Sequence, residues 1–498
     1  MKKAAIIPVM ALFSVMLASC FLYPDITPKD QPPPDPFDTL EKGFFYAKDM
    51  TDNAQNMPHY GFYKLEAEML YEGEKCEIWA EKNSGVTEED AKIIAGEYDD
   101  NIRQIIVDAF GMEDISGYDE KGVFCYFDDI LDYANWLAGR DNGKLTILLL
   151  DIQDGFDPNK ETDAYVAGYF YPINFFPEGK INDSNFSNGR DMIYVDTYPG
   201  LETESRRSQV YATFAHELQH LVNFVTCFLL DKDFTDVWVN EGLSAYAEHL
   251  YLGVPPQDRC DWLLYPDNTI KTGNNFFVWG NHSDNQYAIL DDYATVYLFF
   301  RWLYLQANTG LQASIFYDIT TSKYPDYQAI TDVARKIDYS WYSWENLLRT
   351  WLAANYYPEN AVYGYKDDSY LQSIIKIDPI AVKDISLYPG EGVYSIINGS
   401  STPAAGGTNI RYAGLAVNAF TPDVSPPYNG DVLLTFNANT SNSARAETGY
   451  LTSVSPSPAA SRTAAENSRP GKWTGPYVID AGDIVGRDQE RPKSRVLR

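Results

Sequence analysis

The run from Tyr211 to Val225 constrains this chain more than any other stretch. Val210, Phe214, Leu218, Leu221 and Val225 recur at steps of three and four, which predicts an amphipathic helix with one buried stripe. The same run carries His216, Glu217 and His220 in the order His-Glu-x-x-His. Residues four apart stand one above the other on a helix face, so both imidazoles can reach a single metal ion. The chain has only five histidines in 498 residues, so composition alone does not account for the pairing. A hydrolytic zinc site commonly takes three protein ligands and leaves a position for water, so a third ligand is expected nearby.

Glu241, in the segment from Trp238 to His249, is the candidate. Residues 221 to 240 leave room for the first helix to end, for a turn through Asp231 to Asp236, and for a second helix to return across it. On that second helix Glu241, Ser244, Ala245 and Glu248 share a face. His216-Glu217-Leu218-Gln219-His220 followed by Asn240-Glu241-Gly242-Leu243-Ser244 resembles the gluzincin metallopeptidases. Within them it is most similar to the hyicolysin-like neutral zinc metallopeptidases. A metzincin would place a glycine and a third histidine within six residues of His220, and Leu221 to Thr226 contain neither.

The resemblance implies one zinc ion held by His216, His220 and Glu241. Glu217 is then the general base that takes the proton of the attacking water and hands it to the leaving amine. A structural zinc site, closed by four Cys or His ligands, has no use for such a glutamate. A ligating imidazole usually donates its other N–H to a carboxylate or carbonyl, a role open to Glu248 and, through its amide, to Asn240. The oxyanion needs a further donor. Tyr293 is the leading candidate, with Tyr297 and His282 as alternatives and core packing as the plainer role for both tyrosines. His249 points a quarter-turn away from the ligand face and reads as a surface or packing residue.

Lys2 and Lys3 precede an apolar run from Ala4 to Ala18, and Leu17-Ala18-Ser19-Cys20 matches a bacterial lipoprotein signal. Residues 1–19 are accordingly expected to be removed and Cys20 lipidated. A Pro-rich tether over 20–56 would hold the enzyme off a membrane of the cell envelope, facing the periplasm or the exterior. A formal charge of −31 excludes the basic footprint that nucleic-acid binding requires. Cys76, Cys125, Cys227 and Cys260 permit two disulfides, and free buried thiols fit equally. A Cys227–Cys260 bridge would staple the candidate site.

Strands are expected between Tyr60 and Trp79, over Leu145 to Ile152, Ala164 to Phe176 and Met192 to Asp196, with a helix from Thr87 to Phe110. Helices follow at Ala288 to Gln306, Tyr327 to Lys336 and Ser343 to Tyr356. This is an α+β pattern, matching a gluzincin-type catalytic unit with an N-terminal mixed sheet, active-site helices and a helical C-terminal part. The unit is expected over 57–376, a small β-rich accessory segment over 377–441, and a disordered tail over 442–498. Met192 to Asp196 and Ala164 to Phe176 are the candidate edge strands for binding an extended peptide. Asp157, Asn159, Glu161 and Asp163 alternate as in a calcium loop, but the sixth-position glycine and the distal glutamate are missing, so a solvated acidic loop is the stronger reading.

The sequence thus points to a monomeric, lipid-anchored zinc endopeptidase acting on protein or peptide. A surface adhesin or host-protein binder on the same fold is the alternative from another class. An aminopeptidase would need a Gly-rich strand motif with a glutamate for the free amine, and none precedes His216.

Overall fold

The computed structural model describes residues 43–51, 57–111, 144–156, 165–175, 186–229, 232–264, 276–279, 288–381, 385–396, 402–403, 407–416, 419–421, 432–441, 447–449 and 451–452. Cys20, Cys125, His282 and the acidic loop from Asp157 to Asp163 lie outside the described residues.

Six strands build the first sheet: β1 (Phe44–Lys48), β2 (Phe62–Glu72), β3 (Cys76–Glu81), β4 (Leu145–Leu150), β5 (Gly168–Phe170) and β6 (Met192–Asp196). Their order is β1-β2-β3-β4-β6-β5. β3, β4 and β6 run parallel, while β1, β2 and β5 enter antiparallel. β4 reads Leu-Thr-Ile-Leu-Leu-Leu and is buried at every position, the continuous apolar run of a parallel strand covered on both faces.

Helices follow the sequence closely. α1 (Glu88–Glu97) opens with a capping box in which Thr87 and Asp90 satisfy each other's backbone N–H. A single π-helical stretch over Tyr98–Ile102 joins it to α2 (Arg103–Phe110). α3 (Glu204–Leu229) carries the His-Glu-x-x-His motif, and α4 (Val237–Leu252) ends at Gly253, whose φ of 68° caps it in the left-handed region. α5 (Gln257–Leu264), α6 (Ala288–Gln306), α7 (Tyr327–Ile337) and α8 (Trp344–Tyr356) follow, with shorter helices at Thr309–Gln312, Ile315–Thr320 and Ser369–Ile374. α6 is apolar almost all round because it is buried from Asp291 through Phe300. The architecture is α+β, a mixed sheet in front and helices behind, compatible with a gluzincin-type fold.

Beyond residue 376 a second sheet forms from β7 (Ile380–Ala381), β9 (Gly392–Ile396), β11 (Ile410–Ala416), β12 (Ala419–Thr421) and β13 (Val432–Asn437), in the order β12-β11-β13-β9-β7. It stands directly on α8. Tyr394, Leu434 and Phe436 belong to the same buried cluster as Trp351 and Leu352. The Tyr394 hydroxyl donates to the Leu352 carbonyl at 2.7 Å.

Several expectations change. Phe44–Lys48, placed in the tether, is an edge strand paired along its length with β2, so ordered structure begins before residue 57. Ala164 to Phe176 yields only the three residues of β5, because Pro172 opens a 3-10 turn. Met192–Asp196 lies between β4 and β5 and is not an edge. β8 (Ile385–Leu387) pairs with β14 (Glu447–Gly449), and β10 (Thr402–Pro403) with β15 (Leu451–Thr452), so pairing continues past residue 441. Cys76, Cys227 and Cys260 are buried thiols outside any disulfide, so no bridge staples α3 to α5. Among the described residues no helix is long and apolar enough to cross a membrane.

Candidate metal centre

The motif helix reaches the sheet through a close approach at β5. A Cβ on Gly168 would sit 2.8 Å from the Tyr194 carbonyl, 3.1 Å from Thr213 Cγ2 and 3.6 Å from Glu217 Cγ. Glycine therefore lets α3 settle against the edge strand and sets Glu217 beside it. A second close approach sets α4. A Cβ on Gly242 would meet the Phe300 ring at 2.3 Å, so the residue next to Glu241 must be glycine for α6 to pack behind it.

These contacts bring His216, His220 and Glu241 together, all fully buried. Glu241 Oε2 lies 3.4 Å from His216 Nε2 and 3.5 Å from His220 Nε2. Charge-assisted hydrogen bonds are shorter than this, whereas ligands bonded at about 2.1 Å to a tetrahedral ion stand about 3.4 Å apart. The two imidazole rings are 4.7 Å apart and nearly perpendicular. Neither oxygen of Glu241 nor the His216 Nε2 has a hydrogen-bond partner. One ligand atom from each of the three residues falls within 4.8 Å of the others, as a shared metal ion requires.

Electrostatics lead the same way. Glu217, Glu241 and Glu248 are buried together, and the fixed cation paired with them is the Arg259 guanidinium on Glu248. Burial pushes the Glu217 carboxyl up to about 8, reinforced by Glu241 and Glu248 and opposed by His216. For His216, burial lowers the pKa, but the neighbouring carboxylates of Glu241, Glu248 and Glu217, of which Glu248 is hydrogen-bonded to its Nδ1, outweigh it and lift the ring to about 9. A cluster this rich in carboxylate must be neutralised by protons or by a metal cation. The donor set, two imidazoles and a carboxylate, suits zinc.

Each imidazole is held from behind. Glu248 Oε1 accepts from His216 Nδ1 at 2.6 Å and from Arg259 Nη2 at 2.9 Å. Burial pushes the Glu248 carboxyl up, yet Arg259 and His216 together bring it below its ordinary value. His220 Nδ1 lies 3.0 Å from Ser244 Oγ, and that hydroxyl donates in turn to Gln219 Oε1. Asn240 also offers an acceptor to His220, while its Oδ1 takes a hydrogen bond from Asn223.

The remaining candidates are placed as follows. Tyr293 is buried with its ring 4.8 Å beneath the Arg259 guanidinium and 5.1 Å from Trp279, on the Glu248 side of the cluster. Tyr297 approaches His249 instead, its hydroxyl 3.1 Å from Nδ1. His249 is packed on the Tyr246 ring, and burial with the nearby Arg301 charge lowers its pKa to about 3, leaving it neutral. Sequence reasoning missed Gln219, Ser244 and Arg259. Ser244 carried a signal, since it shares the α4 face with Glu241 and Glu248; Arg259 sits on another helix and carried none.

No family model matches the chain. Over 250 residues it is 30% identical to the neutral metalloprotease ShpI of Staphylococcus hyicus, covering 49% of this chain and 48% of that protein. Over 77 residues it is 31% identical to the puromycin-sensitive aminopeptidase of Caenorhabditis elegans, covering 15% of this chain and 8% of that one. The chain thus spans about half the length of the first relative and under a tenth of the second.

Proposed function

We propose that this chain, which resembles the hyicolysin-like metalloproteases, is a zinc endopeptidase in which His216, His220 and Glu241 hold the ion. The observation that carries the reading is the convergence of those three buried side chains at ligand-to-ligand spacing. Zinc bound there would supply a water acidified toward neutrality and a Lewis acid for the scissile carbonyl.

The chain's own residues perform the rest. Glu217, adjacent to the first ligand and held against β5, accepts the proton of the attacking water and returns it to the leaving amine. Glu248 and Ser244 orient the two imidazoles. Tyr293 is the candidate donor to the oxyanion, on the strength of its position on the helix that follows the ligand helices. Among the described residues β5 pairs on one side only, which suits the addition of an extended peptide strand beside Glu217. Endopeptidase action is favoured over N-terminal trimming because no acidic residue lies in Val166-Ala167-Gly168-Tyr169-Phe170 to hold a free amine. The signal-like Leu17-Ala18-Ser19-Cys20 supports lipid anchoring in a bacterial envelope.

The deciding experiment uses the full chain. It is expected to carry one zinc and to cleave denatured protein and an N-terminally blocked peptide. Glu217→Gln should keep the zinc and lose about 10²- to 10⁴-fold in rate. Properly folded protein that takes up no zinc would sink the reading, and full activity in Glu217→Gln would remove that residue as the base. Cleavage restricted to free N-termini would replace the endopeptidase with an aminopeptidase. Host-protein binding by the inactive variant would favour the adhesin.

A further inference from the structure

A histidine can bind metal through Nε2 only if its proton sits on Nδ1, and the group behind Nδ1 decides this. Behind His216 stands a carboxylate, which can only accept. Behind His220 stands the Ser244 hydroxyl at 3.0 Å, which can donate or accept. Asn240 offers this ring a second acceptor, but by itself the hydroxyl is ambiguous. Were it to donate to Nδ1, the neutral ring would carry its proton on Nε2 and turn an N–H toward the metal position.

Gln219 removes the ambiguity. Ser244 has one hydroxyl proton, and it is donated to Gln219 Oε1. The Ser244 lone pairs are then what faces His220. Gln219, Ser244 and His220 are all fully buried, so water does not compete for these bonds. Gln219 directly precedes His220 on α3, and Ser244 lies one turn beyond Glu241 on α4. The reversed amide would send an N–H to Ser244 and leave its proton able to point at Nδ1, the arrangement that turns an N–H toward the metal position.

We propose that Gln219 and Ser244 are positioning residues that form a directional chain, His220 Nδ1–H to Ser244 Oγ–H to Gln219 Oε1, and thereby hold His220 in the tautomer that ligates through Nε2. The inference rests on the zinc reading above. It assigns a task to Gln219, which acts on His220 through Ser244.

The test measures zinc affinity of the full chain by competition with a chromophoric chelator, together with ¹⁵N imidazole shifts of the metal-free protein. Ser244→Ala and Gln219→Leu should each lower zinc affinity by about tenfold to a hundredfold, the usual reach of an outer partner. Ser244→Thr, which keeps the hydroxyl, should stay within a few-fold of the parent, a rescue that a volume effect would not produce. The metal-free parent should show His220 protonated on Nδ1, and Gln219→Leu should shift population to Nε2–H. Unchanged affinity in Gln219→Leu overturns the proposal, as does equal loss in the Ala and Thr variants. Should the variants not fold, an Nε2–H tautomer at His220 in the parent overturns it by itself. A parent that binds no zinc removes the underlying reading; a parent that binds it normally while Gln219→Leu is silent removes only this inference.

Discussion

The two imidazoles of the cluster stand one helical turn apart, yet they are held by opposite chemistries. His216 leans on an ion pair, Glu248 with Arg259, and His220 on a neutral hydroxyl and amide, Ser244 with Gln219. The difference teaches how much negative charge a buried pocket can hold. Glu217, Glu241 and Glu248 are already gathered there with Arg259 as the paired guanidinium. A fourth carboxylate behind His220 would need a further cation, whereas a hydroxyl whose own proton is committed elsewhere orients the ring at no cost in charge.

The largest expected effect tests the charged side. Glu248→Ala removes the carboxylate paired with the buried Arg259 guanidinium, and stranding one partner of a buried pair typically costs about 3–5 kcal/mol. Chemical denaturation of the metal-free protein should show it. Arg259→Met in the same background should recover part of that stability without restoring zinc affinity, because His216 still lacks its acceptor. Equal stability of Glu248→Ala and Ser244→Ala would erase the contrast between the two supports.

A middle-sized effect bears on both supports at once, since each depends on how closely α4 lies against its neighbours. Gly242→Ala would drive a methyl group into the Phe300 ring, and overpacking of this kind costs about 1–3 kcal/mol. Zinc affinity should fall along with thermal stability. A variant as stable as the parent would mean that α6 can give way without moving Glu241.

The smallest effect, taken per pH unit, comes from a buried carboxylate outside the cluster. Asp196 ends β6 and accepts from Ile152 and Gly200 N–H groups. Burial pushes it up to about 8 from an ordinary 3.8, with Asp154 and Asp151 adding to the rise. The folded chain therefore retains a proton that the unfolded chain releases. The stabilisation is full below the ordinary value and is lost as pH rises through the folded one, at no more than about 1.4 kcal/mol per pH unit. Asp196→Asn should flatten the decline in stability between pH 5 and 8, measured by thermal melts. An unchanged slope would assign the decline to other groups.

Much of this was legible because helix spacing is rigid. The interval from His216 to His220, and the shared face of Glu241 and Glu248, follow from 3.6 residues per turn. Charge across different helices was not legible. Arg259 reaches Glu248 from α5, and nothing local in Gln257-Asp258-Arg259-Cys260 signals a buried guanidinium. Ser244 was visible on the ligand face, but its task depends on which way a single proton points, and that is set by Gln219 on the opposing helix. Strands were the weaker reading. Phe44–Lys48 hid behind a proline-rich neighbourhood, and β5 was overestimated because an aromatic run reads as a strand until Pro172 turns it.

The shared core beneath the second sheet has a consequence for the order in which the chain is made. The helices that carry the candidate ligands are complete by Leu252, but the floor of the core behind them is finished only when β13, ending at Asn437, arrives to cover Trp351 and Leu352. During synthesis the site can therefore assemble well before the domain is sealed. A nascent chain halted at residue 376 is expected to bind a hydrophobic dye and to be clipped readily by added protease, whereas one extended past residue 452 should resist both.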